Sequence, residues 1–170
     1  MRKIFAIVAL TLLSLVLPGL VFGQGHATPE EVVAKVREAA STLSKTGDVA
    51  QFQQKQSPWV WKDTYIFVDD CAKQVVAAHP LVPQQVGQDF GKIKDTRGNT
   101  LYPDPHAFCD AAKQPSGTWV EYWWPKPGEK EGSRKVSYYL GAKGTPYVVG
   151  AGTYDDKATI PELSKLSSKK

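Results

Sequence analysis

The chain has 170 residues, 42% hydrophobic and 22% charged, with five Trp, seven Tyr and six Phe. That length suits one domain, or one domain and a processing segment, and the composition excludes a disordered or collagen-like chain. The formal net charge of +4 is carried largely by the ends, at Arg2, Lys3, Lys165, Lys169 and Lys170. The stretch between is close to neutral and offers no clustered basic face, so no nucleic acid partner is expected.

Arg2 and Lys3 precede an uncharged apolar run from Ile4 to Leu17, which Pro18-Gly19 breaks. Small residues follow at Gly23, Gly25 and Ala27. This is the pattern of a secretory signal peptide over residues 1–23, with a cut as late as residue 27. A retained anchor is the alternative, because Ile4 to Phe22 is about long enough to span a bilayer. Either reading places the rest of the chain outside the cytoplasm, periplasmic or secreted. In such a compartment the two cysteines, Cys71 and Cys109, are expected to form a disulfide. A metal pair or a redox pair would want further ligands, CxxC or HExxH, and none is present. CxxCH for haem attachment is absent too. No metal and no cofactor are expected.

Residues 28–58 read as a helical segment. Thr28-Pro29-Glu30-Glu31 is a helix start with a capping box. Val32, Val33, Val36, Ala39, Ala40 and Leu43 recur at helical spacing, and Gly47 is a stop. Asp48 caps a shorter helix with Ala50 and Phe52. Trp59 to Val68 is a strand rich in aromatic and β-branched residues. Asp69 and Asp70 make a turn, and Lys73 to Ala78 returns as the second strand of a hairpin. His79-Pro80 ends it. Residues 81–104 carry turn formers and read as irregular. Asp104-Pro105 opens a short helix through Lys113. Three strands follow, at Thr118 to Trp124, Arg134 to Leu140 and Tyr147 to Tyr154. Ile160 to Leu166 is a short helix within a tail, residues 157–170. The fold class is α+β: a long N-terminal helix packed on a five-stranded antiparallel sheet covered on both faces.

Several segments carry a family resemblance from about Thr64 to Asp156. They are Tyr65-Ile66-Phe67-Val68-Asp69, then His79-Pro80 with Gly87, then Asp95 and Gly98. The run from Gly117-Thr118-Trp119-Val120-Glu121-Tyr122-Trp123-Trp124 to Pro125-Lys126-Pro127-Gly128 follows. Lys135-Val136-Ser137-Tyr138 and Val149-Gly150-Ala151-Gly152-Thr153-Tyr154-Asp155-Asp156 complete the set. In this order and spacing they resemble the single Cache domain of the second subtype, an extracellular PAS-like sensor module, here over residues 59–156. The resemblance implies a PAS-like sheet with a pocket for a small ligand, often a short carboxylate. It also implies a membrane receptor or sensor kinase as partner, and a homodimer through the N-terminal helix. The sequence departs from the family in having no membrane helix or signalling domain after Asp156, which suggests a free-standing form. It also has Cys71 where the family often has glycine.

Alternation puts Val120, Tyr122 and Trp124 on one face of the first long strand, and Lys135, Ser137 and Tyr139 on one face of the next. A lysine in an aromatic strand pair supplies a point charge for a carboxylate, with tyrosine hydroxyls to orient it and tryptophan to exclude water. By resemblance Lys135 is the anion partner, with Tyr122 and Trp124 lining the site. The bland alternative is a solvated Lys135 among ordinary core aromatics. Whether Tyr138 or Tyr139 faces the pocket depends on register. His79 is a ligand contact or a strand-end fixture, and Tyr65 lines the pocket or packs in the core. Gly150 and Gly152 allow close backbone approach or a bulge. GxSxG and phosphate-loop patterns are absent, and no enzyme activity is expected. Two functions compete. One is an extracytoplasmic binding or sensing module for a small organic acid. The other is a carbohydrate- or peptide-binding surface built on exposed aromatics.

Overall fold

The computed structural model describes residues 25–169. The expected signal peptide, residues 1–23, lies outside the described residues. Among those described, no helix is long and apolar enough to cross a membrane.

The first helix, α1, runs over Pro29–Thr46. Its capping box forms as the sequence suggests: Thr28 Oγ1 accepts from the Glu31 amide, and the Glu31 carboxylate accepts from the Thr28 amide. Gly47 ends the helix at φ 65, a left-handed conformation that costs other residues energy. The apolar stripe from Val32 to Leu43 is buried. A short 3-10 turn follows at Ala50–Gln53, opened by the Asp48 carboxylate accepting from the Ala50 amide.

The expected strand from Trp59 to Val68 is three pieces, β1 at Val60–Trp61, β2 at Thr64–Tyr65 and β3 at Phe67–Asp70. Lys62, at φ 47, turns the chain between β1 and β2, so the two form a small hairpin outside the main sheet. A second correction concerns Asp69 and Asp70, which are the last residues of β3 and are buried. The turn lies beyond them, where the Asp70 carboxylate accepts from the Ala72 and Lys73 amides. An aspartate that caps a turn belongs just before it.

Strand β4 is Val75–Ala78, α2 is Pro105–Ala112, β5 is Thr118–Pro125, β6 is Gly132–Gly141, β7 is Tyr147–Thr153 and α3 is Ile160–Ser167. The main sheet is antiparallel, in the order β4-β3-β7-β6-β5. This is the expected α+β arrangement, with a long helix on a five-stranded sheet. One face packs on α1 through Val136, Tyr138, Val149 and Ala151. The other is covered by residues 81–104 and α2, through Phe90, Ile93, Leu101, Tyr102 and Phe108. Two covered faces explain why strand residues of both parities are apolar.

Cys71 and Cys109 are disulfide-bonded. The bond ties the β3–β4 turn to α2, and so holds the second layer against the sheet. Replacing both cysteines with serine is expected to lower stability by about 4 kcal/mol, the loop-closure value for a separation of this size. Urea unfolding of the double variant measures the loss.

Candidate functional site

The pleat and the β5–β6 register gather the polar groups on the face away from α1. Tyr122 pairs with Lys135, Val120 with Ser137, and Thr118 with Tyr139. Of these, Tyr122 and Tyr139 join Tyr65, Phe67, Asp69, His79, Tyr102 and Trp124 in lining a chamber between the sheet and its second layer, and Lys135 lies behind its Tyr65 and Phe67 wall. Its volume is about 30 Å³. That is room for about one or two water molecules.

Lys135 is fully buried. Its Nζ finds no protein hydrogen-bond partner among the described residues. Ring faces surround it instead: Tyr65 at 4.4 Å, Tyr154 at 5.3 Å and Phe67 at 5.7 Å from the ring centroids. Such faces favour a cation but return less than water does. Desolvation pulls the ammonium down to about 7, against a weaker upward pull from Asp63. The aliphatic stem lies across Gly152, where a Cβ would fall 2.6 Å from Lys135 Cε. Gly150 makes room in the same way for Phe67 and Tyr139.

His79 is buried, with its ring centroid 4.8 Å from that of Tyr65. Its Nδ1 accepts from the amides of Leu81 and Val82 at 3.3 and 2.9 Å. The ring hydrogen of the neutral form therefore sits on Nε2. Burial, and secondarily the charge of Lys135, hold this imidazole down to about 3. His79 thus fixes the end of β4 and lines the chamber at once.

Asp69 occupies another part of the wall. Tyr102 Oη lies 3.2 Å from its Oδ2 and 2.8 Å from Tyr139 Oη. Burial pushes this carboxyl up to about 7, and the Tyr102 hydrogen bond opposes that. Tyr122 Oη and Ser137 Oγ are 2.7 Å apart. Burial raises the Tyr122 phenol to about 12, so it stays a hydroxyl at any physiological pH.

Outside lies an open cleft of about 540 Å³, lined by Lys55, Lys94, Lys126, Asp95 and Glu129 among others. Tyr65 and Trp124 line both cleft and chamber and form their shared wall.

Lys135, Tyr122, Trp124, His79 and Tyr65 therefore come together on one side of the sheet. Tyr138 does not. Alternation turns it to the α1 face, where its ring is 5.2 Å from that of Trp119 and its hydroxyl donates to the Ser116 carbonyl. Tyr139 holds the chamber position instead. Asp69, Tyr102 and Phe67 were not anticipated. The strand parity of Phe67 and Asp69 could have revealed two of them, but Tyr102 comes from an irregular segment with no periodicity to read. His26 and His106, which have no evident partner in the sequence, contact Asp63 and Gln74.

Comparison with known proteins gives consistent matches. The Cache domain family model matches residues 51–159. The methyl-accepting chemotaxis protein McpP of Pseudomonas putida is 34% identical over 122 residues, 70% of this chain and 21% of that protein. The chain thus spans about a fifth of the length of that relative. Two solved structures share the fold. One is a Cache chemosensory domain described for its carboxylic acid recognition, with TM-score 0.53 and 24% identity, covering 73% of this chain and 86% of that one. The other is the periplasmic sensor domain of a chemotaxis protein, with TM-score 0.52 and 23% identity, covering 75% and 90%.

Two outcomes follow from the geometry. The folded state binds fewer protons than the unfolded state at Lys135, so this residue's contribution to stability rises with pH from about 7 to the ordinary lysine range. Lys135→Met is expected to raise stability by a few kcal/mol near pH 7 and by much less near pH 10. Chemical denaturation at the two pH values measures this. Gly152→Ala drives a methyl group into the lysine stem, and is expected to cost about 1–3 kcal/mol. Thermal unfolding of Gly152→Ala in the Lys135→Ala background should recover only part of that loss, because Ser137 Oγ also stands where the new methyl group would go.

Proposed function

The chain belongs to the Cache domain family, and from that premise we propose that it is an extracytoplasmic binding and sensing module for a short organic acid. The observation that carries the reading is Lys135 Nζ, buried without a protein partner beside an aromatic chamber. An unpaired buried cation is costly, and a ligand carboxylate is the group that would relieve the cost. Lys135 neutralises the anion. The Tyr122 hydroxyl and the His79 Nε2–H orient it, and Trp124 and Tyr65 close over it. Tyr139 takes the position for which Tyr138 competes in the sequence. The acid enters from the outer cleft, whose three lysines against two acidic residues attract anions.

The chamber of about 30 Å³ holds an acid of even a few carbon atoms only when Tyr65 and Trp124 move aside. The periplasm, or secretion, is the compartment in which this module works, and the bound acid is read by a membrane receptor or sensor kinase. The apolar stripe of α1 is spent on the sheet. A homodimer through that helix would therefore use its polar face.

The arrangement of the tryptophans does not favour a carbohydrate- or peptide-binding surface. Trp59 and Trp119 are buried, and the Arg97 guanidinium lies 3.3 Å from the Trp123 ring centroid. Trp124 turns to the chamber.

Thermal unfolding against acetate, propionate, lactate, pyruvate and succinate tests the reading. An acid at 100 times its dissociation constant adds about 2.7 kcal/mol. The expected result is a rise of several degrees with at least one acid, lost in Lys135→Ala. Cooperative unfolding with no rise for any acid would move the assignment to polymer or partner binding.

A further inference from the structure

The reading of Lys135 as the anion partner leaves open what state the amine is in before the acid arrives. Its surroundings answer that. Lys135 is met by Tyr65 from β2, Phe67 from β3 and Tyr154 just after β7. Tyr122 stands opposite it on β5. None of these rings carries a charge at neutral pH, because burial raises the phenols of Tyr65, Tyr122 and Tyr154. His79, beyond the end of β4, gives its Nδ1 lone pair to two backbone amides and stays neutral. Asp69 on β3 is occupied by Tyr102 and makes no ion pair. Asp63, in the β1–β2 turn, spends its carboxylate on His26 and the Ala27 amide. No carboxylate among the described residues bonds to the amine.

A site that wanted a permanent cation would supply a counter-ion or use arginine, which cannot shed its proton. This one supplies ring faces and a glycine floor. An amine so enclosed sheds its proton readily, in keeping with burial drawing Lys135 down to about 7.

We propose that the chamber takes up one proton with each acid anion it binds, so that the quantity it reads is the undissociated acid rather than the anion. This rests on the proposed binding of an acid at Lys135. The balance is simple: amine, proton and carboxylate become an ammonium–carboxylate pair, with the proton drawn from solvent and no covalent bond made to the ligand. The consequence is functional. At a fixed total concentration of acid, occupancy rises as the surroundings acidify toward neutrality from above. The module then responds to acid and proton jointly, as excretion of an acid by neighbouring cells would present them.

Two measurements test this on the purified chain. The first needs no ligand. The 13Cε resonance of Lys135 in lysine-labelled protein, assigned by its loss in Lys135→Met, is expected to titrate near neutrality. A midpoint in the ordinary lysine range would overturn the proposal. The second is calorimetric titration with acetate and with propionate in MOPS and in Tris. The heats should differ between the buffers by the amount due to about 0.9 proton absorbed per acid at pH 8. Affinity should fall about fiftyfold from pH 7 to pH 9. Proton uptake that is lost in Asp69→Asn while acid still binds would assign the proton to the Asp69 carboxyl and overturn the proposal. Binding with equal heats in the two buffers and constant affinity would refute proton uptake while leaving acid binding intact. No binding of either acid at pH 6 or pH 8 would overturn both.

Discussion

The structure is organised around a single costly act, the enclosure of the Lys135 amine away from bulk solvent and with no carboxylate bonded to it among the described residues. Charge in such a place is tolerated only when something offsets its lost hydration. The ring faces of Tyr65, Tyr154 and Phe67 offset part. The rest favours proton loss, toward which burial draws the amine, or on the proposed reading a ligand carboxylate. Each neighbouring feature follows from that. Gly152 must lack a side chain, because Ser137 Oγ and the lysine stem fill the space a Cβ would take. Tyr122 spends its hydroxyl on Ser137 rather than on the amine. His79 is locked neutral by the backbone it holds.

The second layer closes the chamber next to this amine, while Lys135 itself is covered by Tyr65, Phe67 and Tyr154. Residues 81–104 supply Phe90, Ile93, Leu101 and Tyr102 without forming a long element, and α2 adds Phe108. The cover is held by Tyr102 hydrogen-bonded to Tyr139 of the sheet and by the Cys71–Cys109 bond. The disulfide is thus a condition of the chamber as well as of stability, since it pins the layer that keeps water out.

Periodicity explains what the sequence made legible. The helical spacing from Val32 to Leu43 and the alternation in β5 and β6 each have one solution, so the fold class and the faces within each strand could be read directly, whereas joining Lys135 to Tyr122 and Trp124 rested on the family resemblance. Strand parity also places Tyr139 beside Lys135 and turns Tyr138 away, once the pairing of β5 with β6 is known. Asp69 was harder. A pair of aspartates between two strands reads as a turn, and only the later position of the Ala72 and Lys73 amides shows that one caps the turn and the other is buried. Tyr102 could not be read at all. It reaches Asp69 across 33 residues from a segment whose path is set by tertiary contacts.

The wall shared by cleft and chamber connects the site to the rest of the molecule. Tyr65 ends β2 and touches both Lys135 and His79. The hairpin that carries it is tied to the start of α1 at two points. Lys62 pairs with Glu31 at 2.6 Å, and Asp63 accepts from the Ala27 amide at 2.9 Å. The Ala27 carbonyl in turn accepts from Thr153 of β7. A chamber of about 30 Å³ is too small for an acid of several atoms unless its wall yields. Tyr65 and Trp124 are the wall that faces the open cleft. On the proposed reading, an acid that displaced Tyr65 would act on the β1–β2 hairpin, and through Lys62 and Asp63 on the start of α1. The wall residue Tyr65 and the residues that hold the long helix, Lys62 and Asp63, belong to the same six-residue hairpin.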